Sequence, residues 1–264
     1  MSNAMKILVC VKQVPDAEAP LCMDSRGDWI TAPGDMVLRM NRFDAFALEE
    51  AVRIREHFQD TGAVVIHSVS VGPRRVRETL KKSLALGVEE AFHILLEGEG
   101  YVSAFDTAAL IASFADGDYD LILAGVMAED DMQGLVGSLV AECLGYPCAT
   151  AVMRQRMRED FRGIHVHREI EAGRRELIEM KLPAVLTVQS GINRPRYPRL
   201  TDVLRARKQE PVTIAAGRLA KPAARERLVS LSRPPRPSRG VFLQGSPREK
   251  ARALLQALHE ESFL

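Results

Sequence analysis

Cysteine is scarce in this chain of 264 residues: Cys10, Cys22, Cys143 and Cys148 are its four, and no two form a Cys-x-x-Cys pair. That spacing offers neither a disulfide framework nor a zinc site, and reduced thiols in an intracellular protein are expected. No apolar run approaches the roughly 20 residues of a membrane span, and no secretory signal is read at the start. Residues 1–4, ahead of Met5, read as a tag scar and stay outside the fold argument. A charge excess is lacking too: Lys plus Arg number 36 and Asp plus Glu 35, a formal net charge of +1. No global field then favours nucleic acid or an anionic membrane. Aromatic residues make up 5% of the chain, and Trp29 is its one tryptophan. The basic run of Arg194, Arg196, Arg199, Arg205, Arg207 and Lys208 is interleaved with Tyr197 alone, which favours a protein-docking or solvated face over nucleic acid. The chain shows no P-loop, no dinucleotide fingerprint, no haem or iron–sulfur motif and no complete flavin motif. No Ser-His-Asp or Cys-His arrangement can be placed on it either. The expectation is a cytoplasmic protein with no nucleic-acid partner, no membrane insertion and no catalytic residues of its own.

What is present is an alternation of strand and helix patterns. Met5 to Lys12 is a compact apolar run that reads as a first strand, ended by Pro15, which cannot donate to a ladder. Asn41 or Asp44 can cap a helix through about His57, with Phe43, Leu48, Val52 and Ile54 apolar and Glu49 and Arg53 four apart. Ala63 to Val71 reads as a second strand closed by Gly72 and Pro73, and Val76, Leu80 and Leu84 stripe a helix that stops at Gly87. Glu90 to Leu95 is a third strand, Phe105 to Ala115 a helix and Asp120 to Gly125 a fourth strand. Leu135, Leu139, Val140 and Cys143 mark a helix capped by Gly145. Ala151 to Arg158, Gly163 to Ile170 and Arg175 to Met180 then read as antiparallel strands, and Pro183 to Val188 as a strand covered on both faces.

This order predicts an α/β fold: a three-layer α/β/α arrangement with a mostly parallel sheet, an antiparallel strand addition and a C-terminal docking arm. The α/β domain spans residues 5–214, and the arm spans 215–264. The arm is rich in Pro, Arg and Ala before Ser246, Pro247 and Glu249 start a short helix, with Ala251, Leu254, Leu255 and Leu258 on one face. Between strand and arm lies a projection from 189 to 208, broken by Asn193, Pro195 and Pro198. It carries Leu200, which is costly to expose unless another protein receives it; folding back onto its own domain is the alternative.

Ligands of parallel sheets sit beyond the carboxyl ends of strands, where helix N-termini offer backbone N–H groups. The loop from Gly125 to Gly137 lies at such an end, with Gly134 and Gly137 able to bring backbone close to a phosphate. Its Glu129, Asp130 and Asp131 oppose a highly charged ligand; they either cap the helix or accept hydrogen bonds from ribose or adenine. Cys10 to Lys12, Asn41 to Asp44 and Val71 to Pro73 should converge on the same edge. His165 and His167 point the same way on a strand, but no third metal ligand is visible and a solvated face is favoured.

Several segments together resemble the β subunit of electron transfer flavoproteins. They are Val11-Lys12-Gln13-Val14-Pro15-Asp16, Met40-Asn41-Arg42-Phe43, Val69-Ser70-Val71-Gly72-Pro73, Leu84-Ala85-Leu86-Gly87-Val88, Arg168-Glu169-Ile170 and the stretch from Lys181 to Lys208. The resemblance covers about residues 5 to 214, with a weaker echo from Ser230 to Gly245. It implies an electron carrier without catalytic residues. Its partners would be an electron transfer flavoprotein α subunit and acyl-CoA or other dehydrogenases, and an FAD would be held mainly by the α subunit. It also implies an AMP, or a second FAD, on this chain. The matching nucleotide positions are Cys10, Asn41, Arg42, Phe43, Asp44, Val71, Gly125, Ala128, Asp130, Gln133, Gly134, Leu135 and Val136. The matching partner positions are Glu169, Tyr197, Leu200, Arg205 and Arg207, with Glu169 facing an arginine of the mobile α flavin domain. Two departures stand out. Leu135-Val136-Gly137 replaces the family's Gln-Thr-Gly or Gln-Val-Gly, leaving backbone N–H groups to hold any phosphate, and Ala17 stands where some members place an aromatic near the flavin.

The residues alone keep two other classes open. One is an adenine-nucleotide hydrolase or transferase with Asp130 and Asp131 on Mg²⁺, against which the loop's lack of a phosphate-binding lysine counts. The other is a scaffold with a degenerate nucleotide site, as Leu135 and Val136 suggest.

Overall fold

The structure, a computed structural model, describes residues 4–16, 18–19, 22–23, 30–31, 36–60, 64–98, 100–232, 240–261 and 263. Its contacts divide the chain into one unit, Met1–Ser230, and a second, Leu231–Leu264. In the first unit the strands are β1 (Met5–Cys10), β2 (Gln13–Pro15), β3 (Cys22–Met23), β4 (Ile30–Thr31), β5 (Leu38–Met40), β6 (Val64–Gly72), β7 (Glu90–Leu95), β8 (Leu121–Gly125), β9 (Cys148–Met157), β10 (Gly163–Glu169), β11 (Arg175–Lys181), β12 (Ala184–Val188) and β13 (Val212–Ala215). The helices are α1 (Arg42–His57), α2 (Arg77–Ala85), α3 (Ala104–Ala115), α4 (Val136–Leu144) and α5 (Leu200–Arg207), and α6 (Pro247–Glu260) lies in the second unit.

Among the described residues, nine strands form one sheet in the order β11-β10-β9-β12-β8-β1-β6-β7-β13. All its pairings are parallel except those of β10 with β9 and β11. The central strands are apolar on both faces because helices cover both. One face packs Ile7, Val9, Ile66 and Leu123 against α1 and α2, and the other packs Leu8, Val69, Ile94 and Ile122 against α3 and α4. The α/β three-layer expectation holds, with β9 to β11 as the antiparallel addition. In the second unit, Ser246 caps α6 in a reciprocal capping box with Glu249, as the Ser-Pro-x-Glu spacing predicts.

Several local expectations are corrected. The first strand stops at Cys10 rather than Lys12, because Lys12 donates its N–H to Asp44 instead of to a neighbouring strand. Pro15 does not simply end regular structure. It closes β2, which pairs antiparallel with β5 at a two-strand edge where a missing N–H is tolerated. Asn41 occupies the cap position of α1, yet neither its side chain nor that of Asp44 caps the helix, since both bond elsewhere. Glu49 does not pair with Arg53; it is buried and bonded to Arg196, while Arg53 lies 3.8 Å from Glu50. The projection 189–208 is not loop throughout, because Leu200–Arg207 forms α5. Ala206 is buried and Val203 packs against the core, so three residues' spacing gives this short, basic segment an inward face. Ala17, Trp29 and Ala63 lie outside the described residues.

Gly137, read from the sequence as a phosphate approach, serves the packing of α4 on β12. A Cβ there would fall 2.4 Å from Thr187 Cγ2 and 3.5 Å from Ala124 Cβ. Gly137→Ala should therefore destabilise the protein by about 1–3 kcal/mol through overpacking. Adding Thr187→Ser removes the clashing methyl and keeps the hydroxyl that accepts from Ala151 N at 3.1 Å, so most of the loss should return. Urea unfolding of the single and double variants checks this, and an unchanged midpoint for Gly137→Ala would show that the helix does not approach so closely.

Candidate functional site

The chain runs from β1 outward through β6 and β7, then returns to place β8 on the other flank of β1. Successive connections therefore leave in opposite directions from the carboxyl ends of β1 and β8, and this is the switch point at which such sheets form a ligand crevice. The N-terminus of α1 reaches into it. Asp44, buried, accepts from Lys12 N at 2.7 Å and from Gly125 N at 3.0 Å, so one carboxylate joins the ends of both strands. Burial pushes its pKa up to about 7, against the two backbone N–H groups, which lower it. Gly125 must be glycine, because a Cβ there would lie 2.5 Å from Asp44 Oδ1 and 2.6 Å from Phe43 Cβ. Burial also raises the Cys10 thiol, with Asp44 adding to the shift, so this cysteine is a packed neutral group rather than a nucleophile.

The loop after β8 folds over the same crevice. Asn41 donates to Met127 O at 2.9 Å and accepts from Glu129 N at 3.2 Å. Glu129 accepts from Arg42 N at 3.1 Å and lies near the Arg39 and Arg42 guanidiniums. Lys12 Nζ bonds Asp130 at 2.7 Å and Asp131 at 2.9 Å. Burial opposes the charge on Lys12, but the two carboxylates outweigh it and hold its pKa above the ordinary value. A lysine does stand at this loop, then, supplied from the end of β1 and not from the loop itself. Its signal in the sequence was its place just past a buried strand on the edge where the loop also ends.

The acidic residues do not cap α4. Asp130 and Asp131 instead accept from Asp131 N at 2.9 Å and Gln133 N at 3.1 Å, shaping the loop's own turns, and no side chain caps the helix at Leu135. Gly134 turns the chain at a φ of 64°, in the left-handed region. Gln133, Gly134 and Leu135 are exposed, and Ala128 is half-buried with its carbonyl accepting from Met132 N at 2.9 Å. Cys10, Asn41, Arg42, Phe43, Asp44, Gly125 and the loop to Val136 thus meet at one edge. Val71, half-buried, comes from the neighbouring β6. The arrangement offers first-turn backbone N–H groups without intrahelical partners, beside carboxylates already offset by Lys12, Arg39 and Arg42.

A family model described as the electron transfer flavoprotein domain matches residues 30–219. The chain belongs to the electron transfer flavoprotein family. It sits on the β-subunit side: it is 32% identical to the electron transfer flavoprotein subunit beta of Methylophilus methylotrophus, over 97% of this chain and 98% of that one. It is 29% identical to the same subunit of Bacillus subtilis, over 98% and 99%. It is also 34% identical to the caffeyl-CoA reductase–Etf complex subunit CarD of Acetobacterium woodii, over 98% and 100%. The first two are electron transfer flavoprotein subunits, which are electron carriers and not catalytic enzymes; the third is named as part of a reductase complex.

The residues that the family resemblance assigns to partners fall on two other surfaces. Glu169 is exposed at the end of β10, opposite Arg175 of β11. Tyr197, Leu200 and Leu204 are 94%, 74% and 50% exposed, and Arg205 and Arg207 are exposed beside them on α5, with Arg205 3.2 Å from Asp202. Arg196 does not join that solvated basic face, because it is bonded to Glu49 and Glu56 of α1. Among the described residues no group of His, Cys, Asp and Glu could hold a metal, and no helix is long and apolar enough to cross a membrane.

The Asp44 geometry has a pH signature. Its folded pKa of about 7 exceeds the ordinary carboxylate value, so between roughly pH 4 and 7 the folded state holds a proton that the unfolded chain releases. This group's contribution to stability therefore falls as pH rises through that window. Asp44→Asn removes the titration, and its melting temperature should decline less steeply than the parent's from about pH 5 to about pH 7.5. Parallel profiles would mean that Asp44 ionises as an ordinary exposed aspartate.

Proposed function

We propose that the chain is the β half of a heterodimeric electron transfer flavoprotein of the cytoplasm, which shuttles electrons from dehydrogenases via an FAD held mainly by an α subunit. When bound, the FAD supplies the one- and two-electron chemistry that the chain's own side chains lack. This chain's residues then bind, orient and dock. The exposed apolar face of Tyr197, Leu200 and Leu204 carries the reading, because three such side chains grouped beside basic residues are the surface of a transient protein interface rather than of an isolated domain. Acyl-CoA or other dehydrogenases are the proposed occupants. Glu169, exposed at the end of β10, is assigned to the α subunit.

The crevice at β1 and β8 is assigned to an adenine nucleotide, AMP or the adenylate portion of a second FAD. The donor set fits. The uncapped start of α4 offers backbone N–H groups to a phosphate, Gly134 keeps the approach open, and Lys12 offsets the acidity that would otherwise repel it. The replacement of the family's polar residue by Leu135 leaves that duty to the backbone. The hydrolase reading is the weaker one, because the Lys12 ammonium already occupies the point on which Asp130 and Asp131 converge.

Burying a leucine contributes about 1.5–3 kcal/mol, and anchors of this kind dominate small interfaces. Leu200→Ala in the αβ complex should slow electron delivery from an acyl-CoA dehydrogenase by one to two orders of magnitude, at about 1.4 kcal/mol per decade, and leave assembly and melting temperature unchanged. Stopped-flow flavin reduction measures it. A lower melting temperature with intact coupling would assign Leu200 to the protein's own core.

A further inference from the structure

The exposed face on residues 197–204 is held at both ends, and one of its anchors is a cluster of buried acids that the nucleotide crevice does not use. α1 turns three glutamates toward the chain that follows β12. Glu49 and Glu50 have side chains only 8% exposed, and Glu56 lies a half-exposed two turns further on. Carboxylates placed there need fixed partners, and the segment after β12 provides them. Asn193 donates to Glu50 at 2.8 Å and to Phe46 O at 3.0 Å, and Gln155 of β9 donates to the other Glu50 oxygen at 2.9 Å. Arg196 does more. Its Nε and Nη2 bond the two Glu49 oxygens at 2.9 Å each, its Nη1 and Nη2 bond Glu56 at 2.5 and 2.9 Å, and its own N–H donates to Glu49 at 3.2 Å.

A planar guanidinium bridging two carboxylates fixes direction as well as distance, which a lysine's point charge does not. Pro195 and Pro198 stiffen the backbone on either side. At the far end, Ala206 is buried, Val203 packs on the core, and Glu210 bonds Lys81 at 3.1 Å as well as Arg77, both on α2. Tyr197, Leu200 and Leu204 therefore sit on a bracket strung between α1 and α2. The stretch from 194 to 199 has no regular structure, so the α1 end of that bracket depends on side chains.

We infer that Arg196, clamped between Glu49 and Glu56, is a positioning residue that sets the docking face of Tyr197, Leu200 and Leu204 for the dehydrogenase. The inference rests on the docking reading given above. Loss of the clamp lets the face wander, so that only a fraction of molecules presents it correctly, and the apparent affinity falls by that fraction. The chemistry of electron transfer, once the proteins have docked, is untouched.

The test uses the αβ complex with an acyl-CoA dehydrogenase as electron donor, comparing Arg196→Gln, Arg196→Lys, Glu56→Gln and Leu200→Ala, and the double variant of Arg196→Gln with Leu200→Ala. Arg196→Gln should raise KM for the complex about tenfold with kcat nearly unchanged. Glu56→Gln, which removes a half-exposed partner and spares the buried one, should raise KM about two- to threefold without touching stability. Arg196→Lys should recover only part of the loss. The double variant should be little worse than Leu200→Ala alone, because a misplaced anchor that is already missing costs nothing further. Hydrogen exchange of residues 197–205 in the complex without dehydrogenase should quicken in Arg196→Gln and, to a lesser degree, in Glu56→Gln. Unchanged exchange in both variants would overturn the clamp, as would effects of Arg196→Gln and Leu200→Ala that multiply independently. If Leu200→Ala alone leaves KM unchanged, the docking reading fails by itself, and the exchange data still decide whether Arg196 sets the segment's position.

Discussion

One buried carboxylate joins the two strands on which the crevice depends. Asp44 takes the backbone N–H of Lys12, just past β1, and that of Gly125, which ends β8, and so fixes the edge where the sheet's winding changes direction. A glycine at 125 lets α1 come that close, and Asn41, one turn earlier, fastens the acidic loop over the gap. The same closeness desolvates Asp44 and raises its pKa, so the joint's charge is sensitive to pH near neutrality. The loop's acidity is then answered locally, with Lys12 on Asp130 and Asp131 and two arginines on Glu129.

α1 links this edge to the exposed face of Tyr197, Leu200 and Leu204. Its first turn holds the β1 and β8 ends, its middle holds Asn193 and Arg196, and Glu56 in its last turns completes the bridge. Buried acids on a helix are costly unless each has a partner, and here Glu49 is paired with Arg196 and Glu50 with Asn193 and Gln155. The edge proposed for a nucleotide and the face proposed for a dehydrogenase are thus joined through one helix.

The frame was legible because parallel strands covered on both faces leave unbroken apolar runs, and because glycines close helices. Leu121–Gly125 follows from such a run, and the α4 stop follows from Gly145 in the left-handed region at a φ of 67°. The convergence of Cys10, Asn41 to Asp44, Val71 and the loop on one edge was also readable, since it needs only strand direction. The side-chain pairings were not. Lys12 meets Asp130 and Asp131 across 118 and 119 residues, and Arg196 meets Glu49 across 147, so local spacing carries no trace of either. Glu49 and Arg53 satisfied the helical spacing rule and still did not pair, because burial directs Glu49 toward the core side of α1 while Arg53 faces out. α5 was hidden by its brevity and by two prolines upstream, with Val203 and Ala206 as its only inward residues.

The central claim is that this chain is the nucleotide-bearing β half of a flavin-carrying pair. Native mass spectrometry of the chain purified with its co-expressed α-type subunit tests that most directly. The account predicts a one-to-one complex that retains an FAD and also an adenine nucleotide, which dissociates with this chain when the subunits are separated. A colourless chain that purifies free of the α-type subunit and releases no nucleotide on denaturation would contradict it.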